Sequence, residues 1–451
     1  MSRSSQQRRA AKKKKQQKRT SGGHRPEGQE THQAHRGAQH ENVNISELIR
    51  DGSVYAVGPS HDQDALTDVI REVLILEQKG HAVLVRRDAA RVLDWAVDEA
   101  FLNGWQPSEF LHALARDLDK LGMYLAFETL RSHSRRTSAR AKAPGDWLRQ
   151  LDELGVDDGE RSISSVVDTL RTRPTTDPAV FWTLLLTVIG SIRYLQSMTP
   201  LMAVPSEWDV PIVRTSAPRK DTKVLNTIRN LLAKAEATTY AAEAEALSAK
   251  AQDLMTRYAI DSAVLEAKRH ISLSDEVETR RFLIDNPYPE AKVSLVQAVS
   301  DANAAKVIWF KHYGLVSVVG MPVDLDLVEL LFTSLLVQSA HALAEAGRDR
   351  ASRSPSFRRS FLLAYASRIG ERLTEARERA AAEATVTYGS ALVPIMTERD
   401  EAVNAAFAEQ FPTMSSTSQS VSNPHGWAAG REAADGADIT GGRERIDRSR
   451  R

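Results

Sequence analysis

The chain has 451 residues, room for two or three domains, with an ordinary apolar share of 42% and 26% charged residues. It contains no cysteine, which excludes disulfides, thiolate nucleophiles and Cys-ligated zinc and is compatible with a reducing, cytoplasmic setting. The net charge of +1 hides an asymmetry: residues 1–25 hold ten Lys and Arg and no acid, leaving 50 basic against 59 acidic residues, a net of −9, for the rest.

Residues 1–41 read as a disordered basic arm, because they contain almost no large apolar side chain to offset the entropy of ordering. Arg8, Arg9, Lys12, Lys13, Lys14 and Lys15 are candidate phosphate contacts for DNA or RNA, sequence-blind and salt-dependent. A solubilising tail explains the same residues. His24, His32, His35 and His40 share the arm without the fixed spacing a metal site needs. The basic start lacks the apolar stretch of a secretory signal.

Residues 42–212 read as a helical domain. Leu66, Val69, Ile70 and Val73 form one apolar face, and residues 89–102 carry another. Gly104-Trp105-Gln106-Pro107 is a break with Pro at a helix start. The next helix is expected to bury Phe110, Leu111, Leu114, Leu118 and Leu121, with His112 off that stripe and exposed. The basic run 132–145 reads as a loop. Residues 181–198 form the most apolar helix, expected at the core of this domain; the run stops at Arg193, too short to span a membrane, and no other window reaches spanning length. Pro200, Pro205, Pro211 and Pro218 space out a linker in which Trp208 packs on a neighbour.

Residues 219–268 read as a helical hairpin. Leu225, Ile228, Leu231, Leu232 and Ala235 make one stripe; Ala244, Leu247, Ala251, Leu254, Met255 and Tyr258 make the other. Thr238 or Thr239 is placed to cap the second helix, and so short a connection makes the two antiparallel. The pattern built on Ile228, Leu231, Leu232, Ala235, Glu243, Glu245, Ala246, Lys250, Ala251, Gln252, Leu254, Met255 and Asp261 resembles the bacterial and phage family of domain of unknown function 2786. The downstream part to about residue 443 also looks like the C-terminal region of such proteins. The resemblance implies an organisation and carries no activity.

Residues 276–411 read as a small α+β domain. Residues 277–284 form a strand and 291–303 an amphipathic helix, and the runs 306–313 and 315–319, split by Gly314, form a tight hairpin. Asp324 is expected to cap a long helix bearing Leu327, Leu330, Leu331, Leu335 and Leu336. A further long helix covers 357–383, and 412–451 reads as a largely disordered tail.

The motifs of P-loop, dinucleotide-binding, zinc-protease and nucleophile-elbow enzymes are absent. Asp324 and Asp326 offer two carboxylates to a metal, but capping accounts for the first and i,i+2 side chains diverge on a helix. His312 and His341 become ligands only if the hairpin faces the long helix. Arg358 and Arg359 open a helix among serines, an arrangement suited to phosphate; solvation, or pairing with Glu on a neighbouring helix, is the simpler explanation of both. Trp309 and Phe310 offer base-stacking rings, although strand alternation sends them to opposite faces.

The fold class that follows is mainly α: an N-terminal helical domain, a central helical hairpin and a small α+β C-terminal domain with a three-stranded antiparallel sheet. The function read from the residues is that of a non-enzymatic, cytoplasmic, nucleic-acid-associated accessory protein of phage or mobile-element type. It needs no cofactor, metal or membrane, and names no catalytic residue. A helical protein–protein adaptor is the first alternative. A metal-dependent hydrolase of nucleic acid is the second.

Overall fold

The computed structural model describes residues 44–157, 159, 161–209, 222–237, 254–255, 258–259, 262–263, 273–346, 354–388, 392–415 and 421–437. The basic arm with Arg8, Arg9 and Lys12 to Lys15 lies outside the described residues. So do Thr238, Thr239, Glu243, Glu245, Lys250 and Gln252 of the expected hairpin.

The architecture is mainly α with a small antiparallel sheet toward the C-terminus, as the sequence predicts. Helices α1 (Ile45–Ala56), α2 (Gln63–Leu76), α3 (Ala82–Leu102), α4 (Pro107–Leu114), α5 (Lys120–Arg136), α6 (Ala139–Lys142), α7 (Gly145–Glu153), α8 (Ile163–Arg171) and α9 (Pro178–Arg193) enclose the first core. Three of them start on carboxylate caps: Asp62 accepts from the amides of Asp64 and Ala65, Asp119 from that of Gly122, and Asp177 from those of Ala179 and Val180. The core is aromatic. Phe101 stands edge-on to Trp147 at 5.1 Å, and Trp147 edge-on to Trp208 at 5.2 Å, so the expected packing of Trp208 is observed. Helix α9 is buried along most of its length.

The basic run 132–145 is not a loop. Helix α5 continues to Arg136 and α6 follows, because the basic side chains have partners: Arg136 bonds Asp98 and Asp94, and Arg140 pairs with Asp152. Leu121 is 43% exposed, since α4 ends at Leu114 and the chain turns before α5 begins.

Helix α10 (Thr222–Ala237) opens the expected hairpin. Its Ile228 packs with Met255 and with Leu327 of helix α13 (Pro322–Ala346) in a small apolar cluster. After a short turn, α11 (Leu273–Glu276), come β1 (Glu278–Leu283), α12 (Pro289–Ala302), β2 (Lys306–Phe310) and β3 (Leu315–Gly320). The sheet order is β1-β3-β2, both pairings antiparallel, with Leu283 and Phe310 each opposite Leu315. The connection of β2 to β3 is the four residues Lys311–Gly314 rather than Gly314 alone, with Gly314 at φ 63°. Alternation sends Leu315 into the first core and Val316 and Val318 into a second, built with α12, α13 and helix α14 (Pro355–Tyr388).

Helix α13 corrects the membrane reading, since it is long and apolar enough to cross a bilayer by length and composition. It is apolar on several faces because it is covered from two sides: Leu325, Val328 and Leu335 enter the second core, and Leu327 the cluster under α10.

Helices α15 (Leu392–Gln410) and α16 (Pro424–Gly436) are the last elements among the described residues. The reading of 412–451 as disordered is therefore corrected for residues 424–436. The physical reason is Gly426 and Gly430, which present no side chain to α14: a Cβ on Gly426 would stand 2.5 Å from the carbonyl oxygen of Phe357, and one on Gly430 would overlap that of Phe361. Asn423 caps α16, Arg368 bonds Asp435 at 2.5 Å, and Arg431 bonds Glu371.

Candidate ligand cleft

The first turn of α4 and the break before it meet the sheet along a polar seam. Arg281 of β1 and Glu109 of α4 form a buried ion pair, Nε to Oε1 3.1 Å, and Arg281 Nη2 also donates to the carbonyl of Gly104 at 2.9 Å. The Glu109 carboxyl also accepts from the amide of Gln106 at 3.2 Å, closing the break that the Gly-Trp-Gln-Pro signature marks. Burial pushes the Glu109 carboxyl up to about 7 against the opposing pull of Arg281. Trp105 is locked by its Nε1 donating to the carbonyl of Gln196 at 2.7 Å and stands edge-on to Tyr313. The Tyr313 hydroxyl accepts from the amide of Gln196 and donates to the carbonyl of Tyr194, both at 3.1 Å.

Beside this seam lies an open cleft of about 1130 Å³. One wall is the end of α4 with His112, Arg116 and Asp117; the other is Asp285 and Asn286 after β1 with Lys311 and His312 from the β2–β3 turn. His112 is not exposed as expected. Its ring is covered by the turn: Nε2 lies 3.1 Å from the Gly314 carbonyl and Nδ1 3.4 Å from Asp285 Oδ1. A Cβ on Gly314 would collide with Arg116 and stand 2.9 Å from His112 Nε2, so glycine is what lets the turn close here. His312 Nε2 is 3.4 Å from Asp117 Oδ2, and its ring stands edge-on to Tyr194.

Each acid of the cleft has an imidazole nitrogen 3.4 Å away, a partner that cancels its charge only when protonated. The two permanent cations of the cleft are not matched: Arg116 and Lys311 have no carboxylate partner among the described residues, and the Lys311 ammonium rests 5.6 Å from the centre of the Trp309 ring. Burial, together with the nearby Arg116 charge, lowers the pKa of His112, while Asp285 and the Gly314 carbonyl act in the opposite direction. With both ring nitrogens facing acceptors, His112 presents neither to a bound molecule as a base. No three His, Asp or Glu side chains converge on a metal-sized point among the described residues.

The residues singled out from sequence lie elsewhere. Arg358 is exposed and Arg359 half-buried at the start of α14, where Ser354 Oγ accepts from the amide of Phe357 at 3.2 Å. Phe357 and Phe361 are buried and stacked. Asp324 does not cap α13: it sits inside the first turn, 5% exposed, with Arg399 Nη2 3.1 Å from its carboxylate. Asp326 bonds Arg280 at 2.5 Å, so the two carboxylates that the sequence offered to a metal are both taken up by guanidinium groups. His341 is exposed on α13 and is not among the residues lining the cleft, whereas His312 is. Trp309 and Phe310 are half-buried and packed on the second and first cores, so neither is a free stacking platform.

The cleft residues were not collected by sequence reasoning, apart from His312. The weak signal available was the density of polar residues in 285–288 and 311–314, the two connections that flank the sheet edge.

Comparison with known proteins adds the family of the central segment. Residues 223–262 match a family model described as a protein of unknown function (DUF2786). No curated protein and no solved structure matches. Within that stretch, Ile228, Met255 and Tyr258 are buried, and the carbonyl of Ala259 accepts from Arg399 of α15, itself paired with Asp324. The chain is thus similar to the DUF2786 family over this segment, which is docked through Ile228 and Met255 on helix α13.

Proposed function

We propose that the protein is a non-enzymatic, nucleic-acid-associated accessory protein, of the type carried by phages and mobile elements and acting in the cytoplasm, and that its cleft seats a phosphate group. The observation that carries this reading is the pairing pattern of the cleft: its carboxylates have imidazole partners, and its arginine and lysine have no carboxylate partner among the described residues. A phosphate oxygen is the ligand that a planar guanidinium and a mobile ammonium on facing walls accommodate together. The basic arm, with Arg8, Arg9 and Lys12 to Lys15, adds sequence-blind attraction, and Arg358 offers a further cation at the mouth of α14.

The test is a salt titration of labelled DNA and RNA binding, with the full chain and with a chain starting at residue 42. Binding by both, weakened in the shorter chain, supports the reading. Binding lost completely with the arm would leave the cleft without a role, and no binding at low salt would favour a helical adaptor instead.

A further inference from the structure

We infer that the cleft takes its phosphate group together with a proton on His112, so that occupancy rises as the pH falls. The inference rests on the phosphate reading of the cleft given above and adds how the site is regulated.

Two acceptors flank the His112 ring. Asp285 Oδ1 faces Nδ1 and the Gly314 carbonyl faces Nε2. A neutral imidazole has a single N–H and satisfies one of them; the charged ring has two and satisfies both. What opposes the charged ring is burial and the positive field of Arg116, one turn further along the chain. Lys311 and His312 on the β2–β3 turn add positive charge when protonated, Asp117 offsets His312, and Lys292 donates to the backbone carbonyl of Asp285 at 2.8 Å. A phosphate between Arg116 and Lys311 cancels the part of that field which disfavours the imidazolium. The anion then raises the proton affinity of His112, and by reciprocity the proton raises the affinity for the anion. The chemical class of ligand is a phosphate ester or free phosphate, which share the oxygens that Arg116 and Lys311 would hold.

The experiment uses the full chain and two probes, a 5′-phosphorylated single-stranded oligonucleotide and inorganic phosphate. Affinities are measured by calorimetry at about pH 8 and about pH 6, either side of the ordinary imidazole range. The expected result is that lowering the pH favours wild-type binding over His112→Asn binding by on the order of fivefold, a comparison that cancels the probe's own second ionisation in the same window; Arg116→Ala combined with Lys311→Ala flattens the difference. If only the oligonucleotide binds, the ester is the ligand; if both bind with the same pH dependence, the phosphate group itself is. In the wild-type chain, NMR of the His112 ring gives an independent reading: its titration midpoint moves up when the probe is saturating. A pH dependence that is the same in the wild type and in His112→Asn, or a His112 midpoint that the probe leaves in place, overturns the inference while leaving the phosphate reading intact. Absence of binding by either probe at both pH values overturns the two together.

Discussion

Glu109 on α4 and Arg281 on β1 form a buried ion pair that joins the helical layer to the sheet: Arg281 Nε lies 3.1 Å from the glutamate oxygen, with 2% and 7% of the two side chains exposed. Desolvation outweighs the mutual attraction, because the carboxyl is pushed up to about 7 and the guanidinium is shifted toward its neutral form by the same burial. The cost of so buried a pair is tolerated where it fixes one arrangement of α4 against β1, the arrangement on which the adjacent cleft depends.

A folded-state value raised above the ordinary one means that Glu109 contributes stability that is present below about 4.5 and lost as the pH rises through about 7. Glu109→Gln fixes the neutral form. The difference in stability between variant and wild type is therefore expected to move in favour of the variant by about 3 kcal/mol as the pH is raised across that window. Urea midpoints at several pH values measure it, and parallel curves would refute it.

His133 has the opposite sign. It is 1% exposed against Phe101 at 4.6 Å, and burial lowers its pKa to about 4, with Asp98 opposing. Its stabilising contribution is complete above about 6.5 and is lost as the pH falls through about 4. His133→Leu is expected to flatten the acid limb of the wild-type stability profile, read by circular dichroism; an unchanged limb would place the acid sensitivity elsewhere.

The docking of α16 depends on two glycines. Gly430→Ala drives a methyl group into the Phe361 carbonyl, on the backbone of α14, so the helix must move outward. A loss of about 1–3 kcal/mol is expected, the range for overpacking, with faster proteolysis at the C-terminal helix. Gly436→Ala meets nothing within 4 Å and is the control, expected to be neutral. Equal behaviour of the two variants would show that the close approach is not what holds the helix.

The DUF2786 segment hangs on a second buried pair, Asp324 with Arg399, since Arg399 also donates to the carbonyl of Ala259 at 3.5 Å. Asp324→Ala leaves a buried guanidinium without that carboxylate, at a cost of about 3–5 kcal/mol. Hydrogen exchange is expected to rise first in α10, whose Ile228 packs on Leu327 of α13, the helix that carries Asp324. Uniform exchange across the whole chain would separate the pair from the segment.

Much of the fold was legible because it is written in local periodicity. The strands 278–283, 306–310 and 315–320 and most of the long helices follow from alternation and 3.6-residue spacing. The misreadings share a cause: a side chain that looks solvated on its own element finds its partner far along the chain. His112 lies off the apolar stripe of α4, so the stripe alone makes it exposed; Gly314, about 200 residues later, covers it. The basic run around Arg136 reads as a loop until Asp94 and Asp98 of α3 are set beside it. Residues 424–436 look too small and polar to pack, yet small residues are what a close helix pair requires. The cleft has the same character. Its acids, imidazoles and cations come from three connections, and single-sequence spacing carries no information about which of them meet.

The most direct test of the account is the salt dependence of oligonucleotide binding by the full chain with Arg116→Ala and Lys311→Ala combined. If these two side chains each neutralise a phosphate charge, the slope of log affinity against log salt falls by about 1.4–1.8 relative to wild type, with weaker binding at every salt concentration. A slope and affinity unchanged from wild type would contradict the claim that this cleft is where the protein meets phosphate.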